Sequence, residues 1–420
     1  MKILGLKLFY IVILLISTIG LANAAILVSD KVPLQHQFVK SDETYIISTK
    51  FDMNYSYLVV PQNCTLKFEN GLLRRGRLIG NNTRIEATKD IIFEDIEISG
   101  VWNNRYVYSE WVGLKEGAEN DNKVRFKNLM ALCKGENHKD AYIHKGCFWT
   151  SVNENSCAFS IPSNTILHCS ATICELPNDF EHACLILINK VSNVIIDGGN
   201  YVGDLKSHLG NDGEWSHGIE IRGASNITVN NVKCSYFWGD GIDIIEGFNS
   251  QMEPVYICKN ITILNSDCLY NRRQGLSIEA VDRCLVKNCM FAFTGRYKHT
   301  PPSAGIDIEA WAKNIEKIKN IYIDNCIMKD NVGPSFQSCA NVVFGKDYAR
   351  YMNSILVVNC IMDDIAISHT NGIEFRKCIF DKIRYEKHSK SVMYTKCNMT
   401  NVIDWFSCNF RNINVENIKY

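Results

Sequence analysis

Helical periodicity is almost missing from this sequence, which sets aside architectures built mainly from helices. Net charge is missing too. The 45 basic residues match 45 acidic ones, so no global basic field exists to hold nucleic acid, and no nucleic-acid partner is expected. There is no nucleophile elbow, no phosphate-cradling glycine loop and no HExxH helix. The stretch GNYVGD (199–204) is a turn and not a dinucleotide fingerprint, because no helical pattern follows it. Eighteen cysteines are present, yet no CxxC pair or Cys/His spacing marks a zinc site. No long apolar run follows the first two dozen residues, so no stable membrane span is expected once that segment is removed.

What the chain does have is a strand phrase that keeps returning. It reads HGIEI at 217–221, DGIDI at 240–244, QGLSI at 274–278 and AGIDI at 304–308. Between these runs a second phrase: NVIIDGG from Asn193, NITVNN from Asn226, NITILNS from Asn260 and NIYIDNC from Asn320. Alternating strands that repeat every 20–35 residues point to a β-solenoid. In such a fold, residues distant in sequence stack into columns.

Residues 1–24 carry the pattern of an export signal. Lys2 and Lys7 precede an apolar stretch from Leu8 to Ile19, and Ala22-Asn23-Ala24 supplies a small-x-small cleavage site. An uncleaved anchor is the alternative, although the apolar run is short for a span. The mature protein is expected to be exported and soluble. In that setting the cysteines invite a disulfide framework. Their recurrence argues for something else: Cys234, Cys268, Cys289, Cys326, Cys360 and Cys378 fall at a similar point of successive repeats, which predicts an inward stack of free thiols acting as small apolar residues.

Residues 25–110 are expected to form a β-rich module of their own, and residues 111–420 the solenoid. The module's core, 58–87, shows apolar alternation broken by Asn-Gly-type turns. Phe126, Leu129, Met130 and Leu132 predict one short helix near 122–133 that caps the open end. From Tyr142 the chain reads as strands and turns, including the closing NFRNINVENIKY.

The order EWVGLKEGAENDNKV (110–124), YIHKGCFW (142–149) and IPSNTIL (161–167), followed by the coil phrases WGDGIDI, NRRQGLSI and AGIDIEA, resembles the pectate-lyase-like family of bacteria and phage. The entry loop GLKEGAENDN departs from the glycine- and aspartate-rich form usual there. The resemblance implies an all-β, right-handed parallel β-helix. It also implies a carbohydrate partner, in a family that includes hydrolases, lyases, epimerases and non-catalytic members.

Side chains alternate faces along a strand. With the isoleucines of each phrase inside, an outward column of Glu220, Asp243, Ser277 and Asp307 follows. A second column holds Arg222, Ile245, Glu279 and Glu309. Coils rise by about 4.8 Å, which puts Glu220 beside Asp243 and Asp307 two rungs (~10 Å) from it. Crowded carboxylates raise one another's pKa, and paired carboxylates are the apparatus of glycoside hydrolysis. The catalytic candidates are therefore Asp243, Asp240, Glu220 and Asp307. Asp240, directly before Gly241, could equally serve only as a turn residue. Arg272 and Arg273 are candidates to neutralise the acids or clamp substrate, and one of them should reach a carboxylate. His217 is a proton carrier or a turn hydrogen bond. Trp238, with Trp215, Phe237 and Trp311, offers rings to a sugar or closes core corners. The loops 205–215, with His208, and 295–303 are expected to wall the groove.

Three readings follow. A glycoside hydrolase uses the carboxylates and no cofactor. A polysaccharide lyase would hold a cation, calcium being the candidate, and use Arg272 or Arg273 as base. A non-catalytic β-helix would bind a polysaccharide or oligosaccharide without cutting it.

Overall fold

The computed structural model describes residues 25–310, 318–340, 352–387 and 390–399. The expected export segment 1–24, Trp311 and the stretch 400–420 lie outside them. From Tyr106 onward the chain winds through three parallel sheets, giving each sheet one strand per coil. The first sheet has eleven strands, from Tyr106–Tyr108 to Lys390–Thr395. The second has eleven, from Gly117–Asp121 to Asn398–Met399. The third has nine, from Ser156–Ser160 to Lys382–Lys387. This is the expected right-handed parallel β-helix.

Both recurring phrases have a physical origin in the coil stack. The glycine of each GIDI-type phrase sits under the next coil's backbone. A Cβ at Gly218 would lie 2.5 Å from Gly241 O, and one at Gly275 would lie 2.5 Å from Gly305 O. Only glycine allows that approach. The asparagines opening the second phrase hold left-handed backbone at a corner, with φ between 55° and 60° at Asn193, Asn226 and Asn260. Asparagine tolerates that region better than most residues. Their amides form a ladder: Asn193 donates to Asn164 at 2.9 Å, Asn226 to Asn193 at 3.1 Å and Asn260 to Asn226 at 2.8 Å.

The cysteines do point inward, but in two columns instead of one. Cys234 pairs in register with Cys268, whose next neighbour is Phe291. Cys289 lies two residues before Phe291 and starts a separate line at the corner between the first and second sheets. Cys326, Cys360, Cys378 and Cys397 continue that line, each one residue before the second-sheet strand. In it each thiol donates to the carbonyl two residues back, as Cys289 does to Lys287 O at 3.2 Å and Cys360 to Val358 O at 3.2 Å. Lysine precedes both Cys234 and Cys378, which disguised a two-residue offset.

The helix expected near 122–133 spans Lys123–Leu132. It takes the third side of the first coil, and Phe126 stacks on Phe159 with ring centroids 4.9 Å apart. It covers the end of the third sheet, at strand Ser156–Ser160. On its other side the Asn128 amide bonds the Ile98 N–H and the Ile96 carbonyl of strand Phe93–Trp102. That strand belongs to a seven-stranded parallel sheet formed by residues 26–102. Buried side chains run without a break from that sheet into the β-helix core.

All seventeen cysteines among the described residues are unpaired. Thiol titration of the denatured protein without reductant should therefore find nearly all eighteen free. Gly275→Ala should destabilise the fold by about 2 kcal/mol or more, read by denaturant unfolding, because the added methyl meets backbone.

Candidate functional site

Four neighbouring strands of the third sheet build the site: Trp215–Arg222, Ile242–Ile245, Gln274–Ile278 and Ala304–Ala310. Ile219, Ile242, Leu276 and Ile306 stack in one inward row, and Ile221, Ile244, Ile278 and Ile308 in another. Between them Glu220, Asp243, Ser277 and Asp307 stand in register as the alternation requires, continued by Gln337. The serine breaks the row of acids, and Asp240 fills the break. Its carboxylate reaches in from the turn and accepts a hydrogen bond from Ser277 Oγ at 3.0 Å. Asp243 and Asp307 stand two rungs (~10 Å) apart, and Asp240 lies between coils, its Oδ2 also 3.5 Å from His217 Nδ1 of the preceding coil. Asp240 is both a turn residue and a member of the site.

The row does not face open solvent. Asp243 is 2% exposed and Asp307 1%. The loops expected to wall a groove fold over it. Trp238 Nε1 donates to Asp212 O at 3.0 Å, and Arg272 Nη1 donates to Gly213 O at 2.7 Å. Thr300 Oγ1, from the facing loop, donates to Glu214 at 3.2 Å. Exposure returns at Glu214 and Glu309, whose side chains are 39% and 29% exposed.

The two arginines have different work. Arg273 lies among the acids: Nη1 donates to Asp240 Oδ2 at 3.1 Å and to Gln274 Oε1 at 2.9 Å. Its other nitrogens approach Glu214 at 3.4 Å and Glu309 at 4.0 Å. Gln274 passes the network on, donating to Asp307 Oδ2 at 2.7 Å, and Gln337 adds a bond at 3.3 Å. Arg272 instead covers Trp238, its guanidinium 3.9 Å from the ring centroid, while His208 stacks on the same indole at 3.8 Å. Trp238 is thus enclosed and leaves no face for a sugar. Phe237 belongs to the core, whereas Trp215 is exposed. His208 in turn bonds Asp204 at 2.8 Å, beneath the cover.

His217 Nδ1 accepts the Asp240 backbone N–H at 3.0 Å. Its proton therefore sits on Nε2, which lies 3.8 Å from Asp243 Oδ2. Glu220 is paired with Arg222, whose Nε donates to it at 2.6 Å. Gln274, Gln337 and Glu214 were not visible as site residues. Gln337 sits in FQSCA, which lacks the glycine phrase, and Glu214 sits in a loop that no periodicity can place.

Among sequences and structures already known, no family model matches this chain. It is 29% identical over 169 residues to the uncharacterized protein YclG of Bacillus subtilis (strain 168), covering 38% of this chain and 29% of that protein. It is 30% identical over 185 residues to the SPbeta prophage-derived uncharacterized protein YorA of the same organism, covering 41% and 31%. The chain thus matches under a third of the length of either relative. Among solved structures it is similar to the A-module of Azotobacter vinelandii mannuronan C-5 epimerase AlgE6 (TM-score 0.47, 12% identity, 72% of this chain and 88% of that one). It is also similar to tailspike protein gp49 of Acinetobacter baumannii bacteriophage Fri1, a capsular polysaccharide depolymerase (TM-score 0.44, 13% identity, 71% and 60%). The winding itself decides the fold: three parallel sheets, with the phrases GIEI, GIDI, GLSI and GIDI all in the third. This is a right-handed parallel β-helix.

In this β-helix six carboxyl groups (Asp240, Asp243, Asp307, Glu279, Glu309 and Glu214) surround one guanidinium. Burial, reinforced by Glu279, Asp240 and Glu220, pushes Asp243 well above the usual carboxylate range. Burial and Glu309 do the same to Asp307, and burial raises Glu279 and Glu309. Asp240 is pushed up to about 6 by burial, with Arg273 and Ser277 pulling the other way. Burial alone would weaken the charge of Arg273, but Asp240, Glu279, Asp307 and Asp243 outweigh it and hold the guanidinium charged. Burial and nearby Arg273 keep His217 neutral. Among the described residues no group of three or more His, Cys, Asp or Glu is arranged to hold a metal ion.

These acids have folded pKa values above their unfolded ones. The stability they contribute is complete below about pH 4 and is lost as pH rises through about 6 and beyond. Asp243→Asn should therefore raise the melting temperature by about 2 °C or more at pH 8 and by less at pH 4.5, measured calorimetrically. Equal shifts at both pH values would contradict this electrostatic account.

Proposed function

We propose that the protein is an exported glycoside hydrolase acting on a polysaccharide, with Asp240, Asp243 and Asp307 as its catalytic carboxylates. The observation that carries this is that each of the three has one buried oxygen, Oδ1, with no hydrogen-bond partner. Buried polar atoms are ordinarily paired, so three orphaned carboxylate oxygens in one line favour a site built to receive a hydroxyl, a glycosidic oxygen or a water.

The roles follow from the environments. Asp243, kept protonated by burial, serves as general acid toward the leaving oxygen. Asp240, ionised beside Arg273, serves as nucleophile or as base toward water. A pair of neighbours such as Asp240 and Asp243 suits a retaining mechanism, which needs roughly 5 Å, and Asp243 with Asp307, two rungs apart, is near the wider inverting separation. Arg273 and the Gln274–Gln337 amides orient the carboxylates, and substrate enters past Glu214 and Glu309. The lyase reading needs an arginine that accepts a proton. Arg273 is held charged by four acids and Arg272 is committed to Trp238 and Gly213, which weighs against it.

The test is product formation against a panel of plant, bacterial and host glycans. New reducing ends without ultraviolet-absorbing unsaturated product are expected, and Asp240→Asn should lower turnover by about a hundredfold or more with the fold intact. Turnover should rise with pH through about 6, where Asp240 loses its proton, and fall again where Asp243 ionises. Unsaturated product would replace this reading with the lyase, and retained glycan binding without product would replace it with a binding module.

A further inference from the structure

A groove far from the acids gathers apolar surface that a soluble face would ordinarily hide. It is a cavity of about 750 Å³ between the 26–102 sheet and helix Lys123–Leu132, within the size range of ligand pockets. Tyr55 (76% exposed), Tyr57 (64%), Ile91 (53%) and Val124 (58%) all line it. Four exposed large apolar side chains on one concavity mark an interaction surface more than a scatter of surface residues does. Tyr55 is further held at φ 59°, a left-handed backbone that tyrosine rarely takes.

Polar groups of both signs rim the same groove. Tyr57, Arg77 and Glu97 stand in register across three strands, and Arg77 Nε is 2.8 Å from Glu97. Arg125 lines it from the helix. Flat rings with hydroxyl tips, beside donors and acceptors without excess charge, fit the alternating apolar faces and hydroxyls of a sugar chain.

The groove's position gives it an occupant. The helix fills the third side of the first coil, and the strands above it on that side are Ser156–Ser160, His182–Asn189, Trp215–Arg222 and Ile242–Ile245. Four rungs, or roughly 19 Å, separate the groove's helix from the rung of Asp243. The groove's helix and the acids therefore lie on one side of the solenoid. We infer that the groove is a second polysaccharide-binding site, holding one end of the chain that the acid row cleaves further along. This rests on the hydrolase reading for the cleavage, but not for the binding.

The test is affinity electrophoresis through gels containing polygalacturonate, alginate, arabinoxylan or chondroitin sulfate, with light scattering in parallel. For the polymer that retards the protein most, Tyr55→Ala/Tyr57→Ala should weaken binding by about tenfold, as expected for loss of ring stacking. Val124→Asp should act in the same direction, and unchanged melting would show that both variants fold. The double variant should raise KM for the polymer while leaving cleavage of short oligosaccharides unchanged. Unaltered retardation in both variants would overturn the inference, as would a wild-type dimer that these variants split. Retardation lost in the variants of a protein that never cuts its polymer would keep the groove and remove the hydrolase. No retardation of the wild type in any gel would count against both.

Discussion

Each coil must hydrogen-bond the coil below it along three sheets, and this constraint governs the molecule. At a rung of about 4.8 Å, a side chain's nearest neighbours are its equivalents one coil away. Groups that tolerate their own kind at that distance therefore recur in columns: isoleucine inside, asparagine at a left-handed corner, cysteine behind a second corner, glycine where backbone passes close. Carboxylates do not tolerate it, and a row of them is the exception that asks for an explanation.

The row persists because it is interrupted and balanced. Ser277 takes the middle rung and leaves the place for Asp240, which arrives from a turn together with the Arg273 bond. Arg273 cannot neutralise six acids, so several stay protonated, and the folded state holds protons that the unfolded chain would release. Catalytic sites commonly carry such a stability penalty.

The winding and the register of the acid column were legible because glycine and isoleucine mark each coil twice over. Glu220, Asp243, Ser277 and Asp307 align where the alternation puts them. What was not legible depended on connections between coils. Two loops of irregular composition meet over the site through Asp212, Gly213 and Thr300, turning an expected open groove into a covered one. The same cover encloses Trp238, for which the sequence left both an available ring and a closed corner open. The cysteine columns failed for a subtler reason: Cys268 and Cys289 occupy similar phrases, but a strand residue in one coil matches a corner residue in the next.

The corner line of thiols has a consequence for how the protein ages. From Cys289 to Cys397, five sulfurs are shielded from oxidants only by remaining buried. Coils of a solenoid contact only their neighbours, so a local opening uncovers one or two thiols at a time. In an oxidising compartment, each transient opening would let a thiol acquire an oxygen or a non-native partner before the coil recloses. Damage would then spread one rung at a time, because a coil that cannot reclose uncovers the next. The molecule would keep a chemical record of its own unfolding.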